Sequence, residues 1–500
     1  MQPANNKGPA SLIHPAGPFP FHKRVYAMNT AELHRQSIAE LARLLRSRDL
    51  TALELTEHFL KRIADHNAAL QACCLVCPER ARNQAEAADK LFQSGCDLGP
   101  LQGIPYLLKD LYDVKGLPTA AGTRLLAGNI ATEDAFAVHR LHQAGMVFLG
   151  KTHTVQLAYS GVGINHDLGT PLNPWHPTPH VPGGSSSGSG VAVAAGLAPM
   201  AMGTDTGGSV RIPAALCGVS GLKPTFGRIS CSGVYPLSQS MDSLGPLTRN
   251  AADAALVYEA LTGPDPADPN TLTAPRHTPL PLLQSGLQGL RLAFAESTFW
   301  DGVDPEVEQA VRSTGSIFQD LGAEVRSIDF PEAAEARRLN PKGLVIAAEA
   351  YTNNRSLLDH HVEELDPCIA RRMIQGRDIP AHEYLQSLRD WEAVRAKVLE
   401  RLKDIDALLL PTTPVPARPV AEVDADLETY FQWNMTYLRN SSIGNILKLC
   451  GLSLPCGFSG TGLPIGLMLY AKPFQEATLL RVGQAYQSAT PWHEAAPDIG

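Results

Sequence analysis

From Gly183 to Gly190 the chain is built of glycine and serine alone, yet it passes without a break into Val191-Ala192-Val193-Ala194-Ala195. Alone, a glycine-serine run reads as a flexible linker. Followed at once by small apolar residues, it reads as the first turn of a closely packed helix. The next apolar run, Leu197 to Met202, has strand length and ends in a second cluster, Gly203-Thr204-Asp205-Thr206-Gly207-Gly208-Ser209. A helix apolar on all sides beside an apolar strand needs cover on both faces, which a layered α/β architecture provides.

The rest of the chain keeps this rhythm. Ser37 can cap a helix running to about Arg46, and Thr51-Ala52-Leu53-Glu54 has the form of a capping box that opens a second. In that second helix Leu55, Phe59 and Ile63 form one apolar stripe. Ile104 to Leu108 and Met146 to Leu149 have strand length, with helical Val138 to Ala144 before the latter. Late in the chain, Asp406 to Pro411 reads as a strand and Gly451 to Cys456 with Pro464 to Ala471 as a hairpin around Ser459-Gly460-Thr461-Gly462. A helix from Gln475 to Gln487 follows.

The fold class expected is α/β: a central mixed, mostly parallel-type sheet covered by helices on both faces, in a single large domain. Five hundred residues would divide into two or three domains at roughly 150 each, but the motif order favours one unit over 28–500. Its core lies at about 80–250 and 405–490, with a helical insertion at about 285–405 beyond the proline-rich crossing Pro264 to Pro281. Residues 1–27 hold Pro3, Pro9, Pro15, Pro18 and Pro20 without an apolar segment, so they read as a disordered or wrapping extension rather than a secretory signal, and Met28 is a candidate for the original start.

Composition narrows the function classes. A net charge of −8 does not suit a nucleic-acid surface. Without an apolar run long enough to span a bilayer, no membrane partner is expected. Nine cysteines at irregular spacings suggest reduced thiols and a cytoplasmic setting.

Ser209 follows two glycines, which lack Cβ and let successive N–H groups turn toward one point. Such a nest can hold the oxyanion of an acyl-transfer intermediate, and one preorganised donor there is worth about 2.7–4 kcal/mol. Ser209 is the candidate nucleophile, with the amides of Thr206, Gly207 and Gly208, and of Ser209 itself, as candidate donors. A serine hydroxyl needs a base, and no histidine sits in or beside either cluster. Lys109 ends the apolar run Ile104-Pro105-Tyr106-Leu107-Leu108. Burial there would lower its pKa from about 10.4 toward roughly 7–8, where a lysine is a competent base.

Other motifs carry less. Gly145-Met146-Val147-Phe148-Leu149-Gly150-Lys151-Thr152 satisfies the phosphate-loop expression, but Met146 to Leu149 are themselves the apolar strand, which leaves the lysine beyond it and no polar loop. His139 and His142, and the pair His360-His361, lack the spacing and companion cysteines of a zinc site. Cys74-Leu75-Val76-Cys77, preceded by Cys73, is a lone pair without a second. Neither metal nor cofactor is expected.

With these residues in view, the chain resembles the amidase signature family of serine hydrolases. Lys109, Ser185 after Gly183-Gly184, and Ser209 after Gly207-Gly208 match the family's recurring trio, with twenty-four positions between the serines. The runs Gly203 to Ala214 and Gly218 to Thr225 look like its most recognisable segment, and the likeness extends from about residue 30 to about 490. The resemblance implies that Ser209 attacks the carbonyl and that Ser185, held through a cis peptide from Gly184, relays the proton to Lys109. It implies that Asp205 and Arg211 hold the oxyanion turn, that Ser186 tunes the relay, and that the insertion shapes a pocket.

By analogy, Tyr159, Ile212, Phe431, Trp433 and Asn434 are candidate pocket walls. Their apolar and aromatic character suits a small-molecule amide, and an ester or carbamate passes through a similar oxyanion. One branch of the family is the glutamine-hydrolysing component of tRNA-dependent amidotransferases. That branch carries a glutamine where Ile212 stands and an arginine-containing segment whose nearest counterpart here is Tyr351-Thr352-Asn353-Asn354-Arg355. The departure favours a stand-alone amidase.

Overall fold

The computed structural model describes residues 30–499; the expected extension at 1–27 lies outside them. The two opening helices form at Ile38–Ser47 and Ala52–Leu70, with Ser37 accepting from Glu40 N and the Thr51–Glu54 capping box closed in both directions. Leu55, Phe59 and Ile63 are buried.

Eleven strands make one sheet: β1 (Cys73–Val76), β2 (Pro105–Lys109), β3 (Val147–Thr152), β4 (Met200–Asp205), β5 (Ser220–Lys223), β6 (Ser243–Thr248), β7 (Arg291–Glu296), β8 (Glu324–Asp329), β9 (Ala407–Pro411), β10 (Cys450–Phe458) and β11 (Pro464–Ala471). Their order is β1-β3-β2-β4-β6-β5-β10-β11-β9-β7-β8. The sheet is mixed, as expected, but parallel pairing is its minority. Four strand pairs are parallel, β2 with β3 and β4 and β7 with β8 and β9, and six are antiparallel. The difference lies in the middle of the sheet, where β5 and β6 join β4 to the β10–β11 hairpin by antiparallel pairs.

Helices cover both faces. Along β9 and β11, Leu409, Leu467 and Leu469 enter one buried cluster, while Leu408, Leu410, Met468 and Tyr470 enter the other with Trp391. That is the period-two alternation of a sheet covered on both sides. The segment at about 285–405, expected to be helical, also supplies β7 and β8 to the sheet edge, because the short apolar run Leu292-Ala293-Phe294-Ala295 pairs with β9.

The phosphate-loop candidate resolves into sheet interior. β3 continues through Lys151 and Thr152, so the lysine lies inside the strand rather than beyond it, and its Nζ sits 3.2 Å from Asp110 Oδ1. Gly150 has φ +154, and a Cβ there would fall 2.1 Å from Leu75 O. No described helix is long and apolar enough to cross a membrane. All nine cysteines are free thiols.

Candidate active site

Parallel pairing of β2 with β4 brings the end of the Ile104–Leu108 run beside the second glycine cluster. Lys109 is the last residue of β2 and is fully buried. Its Nζ donates to Ser185 Oγ and to Thr204 Oγ1, each at 2.7 Å. Burial lowers its pKa from 10.5 to about 7, against the opposing pull of the Asp242 and Asp205 carboxylates.

Ser185 and Ser186 precede the helix Ser187–Ala194, which the glycine-serine run opens as expected. The Gly184–Ser185 peptide is cis. Ser185 O accepts from Val155 N at 3.2 Å and Thr154 Oγ1 at 3.0 Å. Ser186 ties the two clusters together: its N–H donates to Ser209 O at 3.2 Å, and its Oγ meets Thr204 N at 3.3 Å. The Ser209 side chain makes no hydrogen bond among the described residues, so the Lys109–Ser185 half of the expected relay is formed and the Ser185–Ser209 half is not.

Asp205, at the end of β4, organises the turn. Its Oδ1 accepts from Gly208 N at 2.8 Å and Arg211 Nη2 at 2.8 Å, and its Oδ2 from Val210 N at 3.1 Å and Arg211 Nε at 2.9 Å. Burial would push this carboxyl up, but the Arg211 guanidinium beside it holds it well below the usual range. Arg211 is in turn held by Asn445 Oδ1 at 2.6 Å and Tyr470 OH at 2.6 Å.

One expected donor is therefore spent. The Gly208 amide points back at Asp205, while those of Thr206, Gly207 and Ser209 make no hydrogen bond among the described residues. Gly208 itself sits at φ +133, and a Cβ there would fall 2.0 Å from Ser441 Oγ, so no other residue fits this turn.

The helix Leu427–Ile446 lies over the turn. Ser441 Oγ donates to Gly207 O at 2.7 Å, and Asn445 Nδ2 donates to Asp205 O at 3.1 Å. Of the five wall candidates, Ile212 reaches Gly208, and buried Asn434 accepts from Ser160 Oγ at 3.0 Å and Gly161 N at 2.8 Å. Tyr159 is buried under the Arg372 guanidinium, 4.3 Å from its ring. Phe431 and Trp433 are half-buried and pack instead on Arg371 and Arg418. Phe431, Trp433 and Asn434 share the helix that lies over the turn, but the residues that touch the turn are Leu438, Ser441 and Asn445, one to three turns beyond Asn434.

Two acidic groupings carry no signal in the sequence. Asp242 lies just before β6 and accepts from Thr206 Oγ1 at 2.5 Å. Asp366 and Asp424 take the two ring nitrogens of His166 at 2.7 and 2.9 Å. With Cys368, His166 and Asp366 form the one grouping of metal-ligand types among the described residues; His139, His142, His360 and His361 lie outside it. Two carboxylates on opposite ring nitrogens call for a doubly protonated imidazole. The hydrogen bond to Asp366 leads in raising its pKa to about 9. Arg355, in the segment nearest to the glutamine branch's arginine-containing one, is exposed and paired with Asp359 at 3.1 Å.

Comparison with known proteins places the chain in a family. A family model described as Amidase matches residues 54–480. The 2-amino-5-chloromuconic acid deaminase of Comamonas testosteroni is 37% identical over 94% of this chain and 100% of its own. A Glutamyl-tRNA(Gln) amidotransferase subunit of Chloroflexus aurantiacus is 36% identical over 94% of this chain and 99% of its own. The solved native peptide amidase from Stenotrophomonas maltophilia superposes with a TM-score of 0.78 at 30% identity, covering 91% of this chain and 96% of that one. Fold, family match and relatives converge: the chain belongs to the amidase signature family and is a hydrolase acting on amide C–N bonds.

Proposed function

We propose that the chain cleaves small-molecule carboxylic amides through an acyl-enzyme on Ser209, with Ser185 as proton relay and neutral Lys109 as base. The observation that carries this reading is the buried amine of Lys109, 2.7 Å from Ser185 Oγ and titrating at about 7. Near neutral pH much of it is uncharged. The bond to Ser185 then reverses, with the hydroxyl donating to the nitrogen lone pair.

Ser209 Oγ adds to the carbonyl carbon as its proton passes to Ser185, whose own proton passes to Lys109. The developing oxyanion is met by the amides of Thr206, Gly207 and Ser209. As the C–N bond breaks, Ser185 hands its proton to the leaving amine and recovers one from Lys109. Water then repeats the sequence on the ester and releases the carboxylic acid. Aryl esters and carbamates pass through the same tetrahedral stage and belong to the proposed range.

A glutaminase working with a partner protein is the alternative, suggested by the likeness to the amidotransferase of Chloroflexus aurantiacus. The solvent-facing Arg355 speaks against it, since a buried bidentate arginine is what a glutamine α-carboxylate needs.

Hydrolysis of a panel holding an anilide, a primary amide, glutamine, an aryl carbamate and an aryl ester tests the reading. Turnover by the purified chain alone is expected, and its loss in Ser209→Ala. Silence on the whole panel, or unchanged turnover in that variant, overturns it.

A further inference from the structure

Thr204 lies in β4 and Thr206 follows its last residue, Asp205. Thr204 accepts from Lys109 at 2.7 Å, and Thr206 Oγ1 donates to Asp242 Oδ1 at 2.5 Å. The antiparallel pairing of β4 with β6 sets Asp205 across from Ser243, which brings Asp242, one residue earlier, level with Thr206. Asp242 Oδ2 is fixed by the N–H groups of Leu237 and Ser238, both at 2.9 Å. Thr204 and Asp242 also line one cavity of about 250 Å³ with Leu111, Val234 and Tyr235.

We propose that Asp242 is a positioning residue for the base: its anchored carboxylate keeps Lys109 basic enough to take the serine proton and, through Thr206, sets the oxyanion turn. The inference rests on the reading of Lys109 as base.

Lys109 sees two carboxylates, Asp242 with the larger effect and Asp205 behind it. Asp205 is largely spent on Arg211. Asp242 has no such cation. Around it stand Glu349, from the helix Leu344–His360, and the Cys231 thiol, with Asp268 on the same cavity wall. Burial raises Asp242 to about 6, against the hydrogen bonds from Thr206, Ser238 and Leu237, and Glu349 adds to the rise. At pH 7–8 it is therefore mostly ionised. Without that charge, only Asp205 would oppose burial at Lys109, and the amine would be neutral but a poorer acceptor for the serine proton.

The test is the pH dependence of kcat/KM on whichever panel amide turns over fastest. In Asp242→Asn the acid limb is expected to move down by about one unit and the plateau to fall about three- to tenfold. Asp242→Ser, which is neutral but keeps an oxygen acceptor, should move the limb in the same way and guards against a folding failure. Asp242→Glu should leave the limb in place. Thr206→Val, which removes one of the hydrogen bonds that keep Asp242 ionised, should slow turnover and move the limb by less than Asp242→Asn does. A folded neutral variant whose limb superimposes on the parent's, or an equal shift in Thr206→Val, overturns the inference. The reading beneath it fails separately, if Lys109→Ala keeps full turnover or the parent shows no acid limb.

Discussion

At the strand ends, Lys109, Ser185, Asp205 and Arg211 are closed off from water and tied to one another or to backbone. The helices that meet the 156–166 loop are tied by groups that water still reaches. His166, 39% exposed, bridges Asp366 and Asp424, and Arg372 donates to Tyr159 O at 2.8 Å. The two regions respond to pH in opposite senses. Lys109 titrates at about 7 when folded and at 10.5 as its ordinary value, so across that window the unfolded chain binds more protons and this group's contribution to stability rises with pH. His166 is raised from 6.5 to about 9, so its contribution is fully present below 6.5 and is lost as pH climbs through about 9. Alkali relieves the core and loosens the cover. An amine that burial makes neutral near pH 7 costs stability, whereas the clip contributes it.

The largest expected effect lies in the core. Lys109→Met should reduce turnover by about 10⁴-fold or more, since among the described residues no other base meets the Ser185 hydroxyl. The same variant should unfold at higher denaturant at pH 7, by about 0.5–2 kcal/mol, because an apolar chain of similar length replaces an amine that burial disfavours. Loss of both activity and stability would mean that the bonds to Ser185 and Thr204 outweigh the burial cost, and the contrast with the cover would collapse.

A smaller effect is expected in the cover. His166→Gln should lower stability at pH 7 by about 1 kcal/mol or less, as solvent screens a half-exposed pair. The gap from the parent should close above pH 9, where the parent's own imidazole has lost its proton. Denaturation at pH 7 and pH 10 for both proteins measures it. A gap that persists at pH 10 would make the ring a packing element rather than a charged clip.

The same division explains what can be read from the chain. Ser209 and Lys109 sit in short motifs whose chemistry the residue order suggests, whereas Ser185, Asp205 and Arg211 are marked by the likeness to the family. Thr204 stands in plain view within its cluster, yet its bond to Lys109 depends on the parallel register of β2 and β4. Asp242 is hidden because β6, Ser243-Leu244-Gly245-Pro246-Leu247-Thr248, holds a glycine and a proline at its centre and lacks the signature of a strand. Without β6 nothing sets Asp242 beside Thr206. The His166 clip joins residues 200 and 258 positions apart, and no local pattern carries such a pairing. Analogy with the family singles out Phe431 and Trp433 as walls, but Phe431 lies about two turns short of Leu438 on the same helix face and Trp433 lies on another face, so Ser441 and Asn445 meet the turn instead.

The smallest expected effect is a null. Arg355 lies on the cover helix Leu344–His360, is 73% exposed at its side chain and pairs with Asp359 one turn on. Such a pair is worth about 0.3–0.5 kcal/mol, and Arg355→Ala should change neither stability beyond that nor kcat/KM on any amide of the panel, glutamine included. The result bears on the whole comparison. If glutamine turnover alone fell in this variant, the arginine would have to swing from solvent to the substrate during the cycle. The cover would then be a moving part of the site, its exposed ion pairs would serve as release points, and the amidotransferase-like reading would regain the carboxylate partner it lacks here.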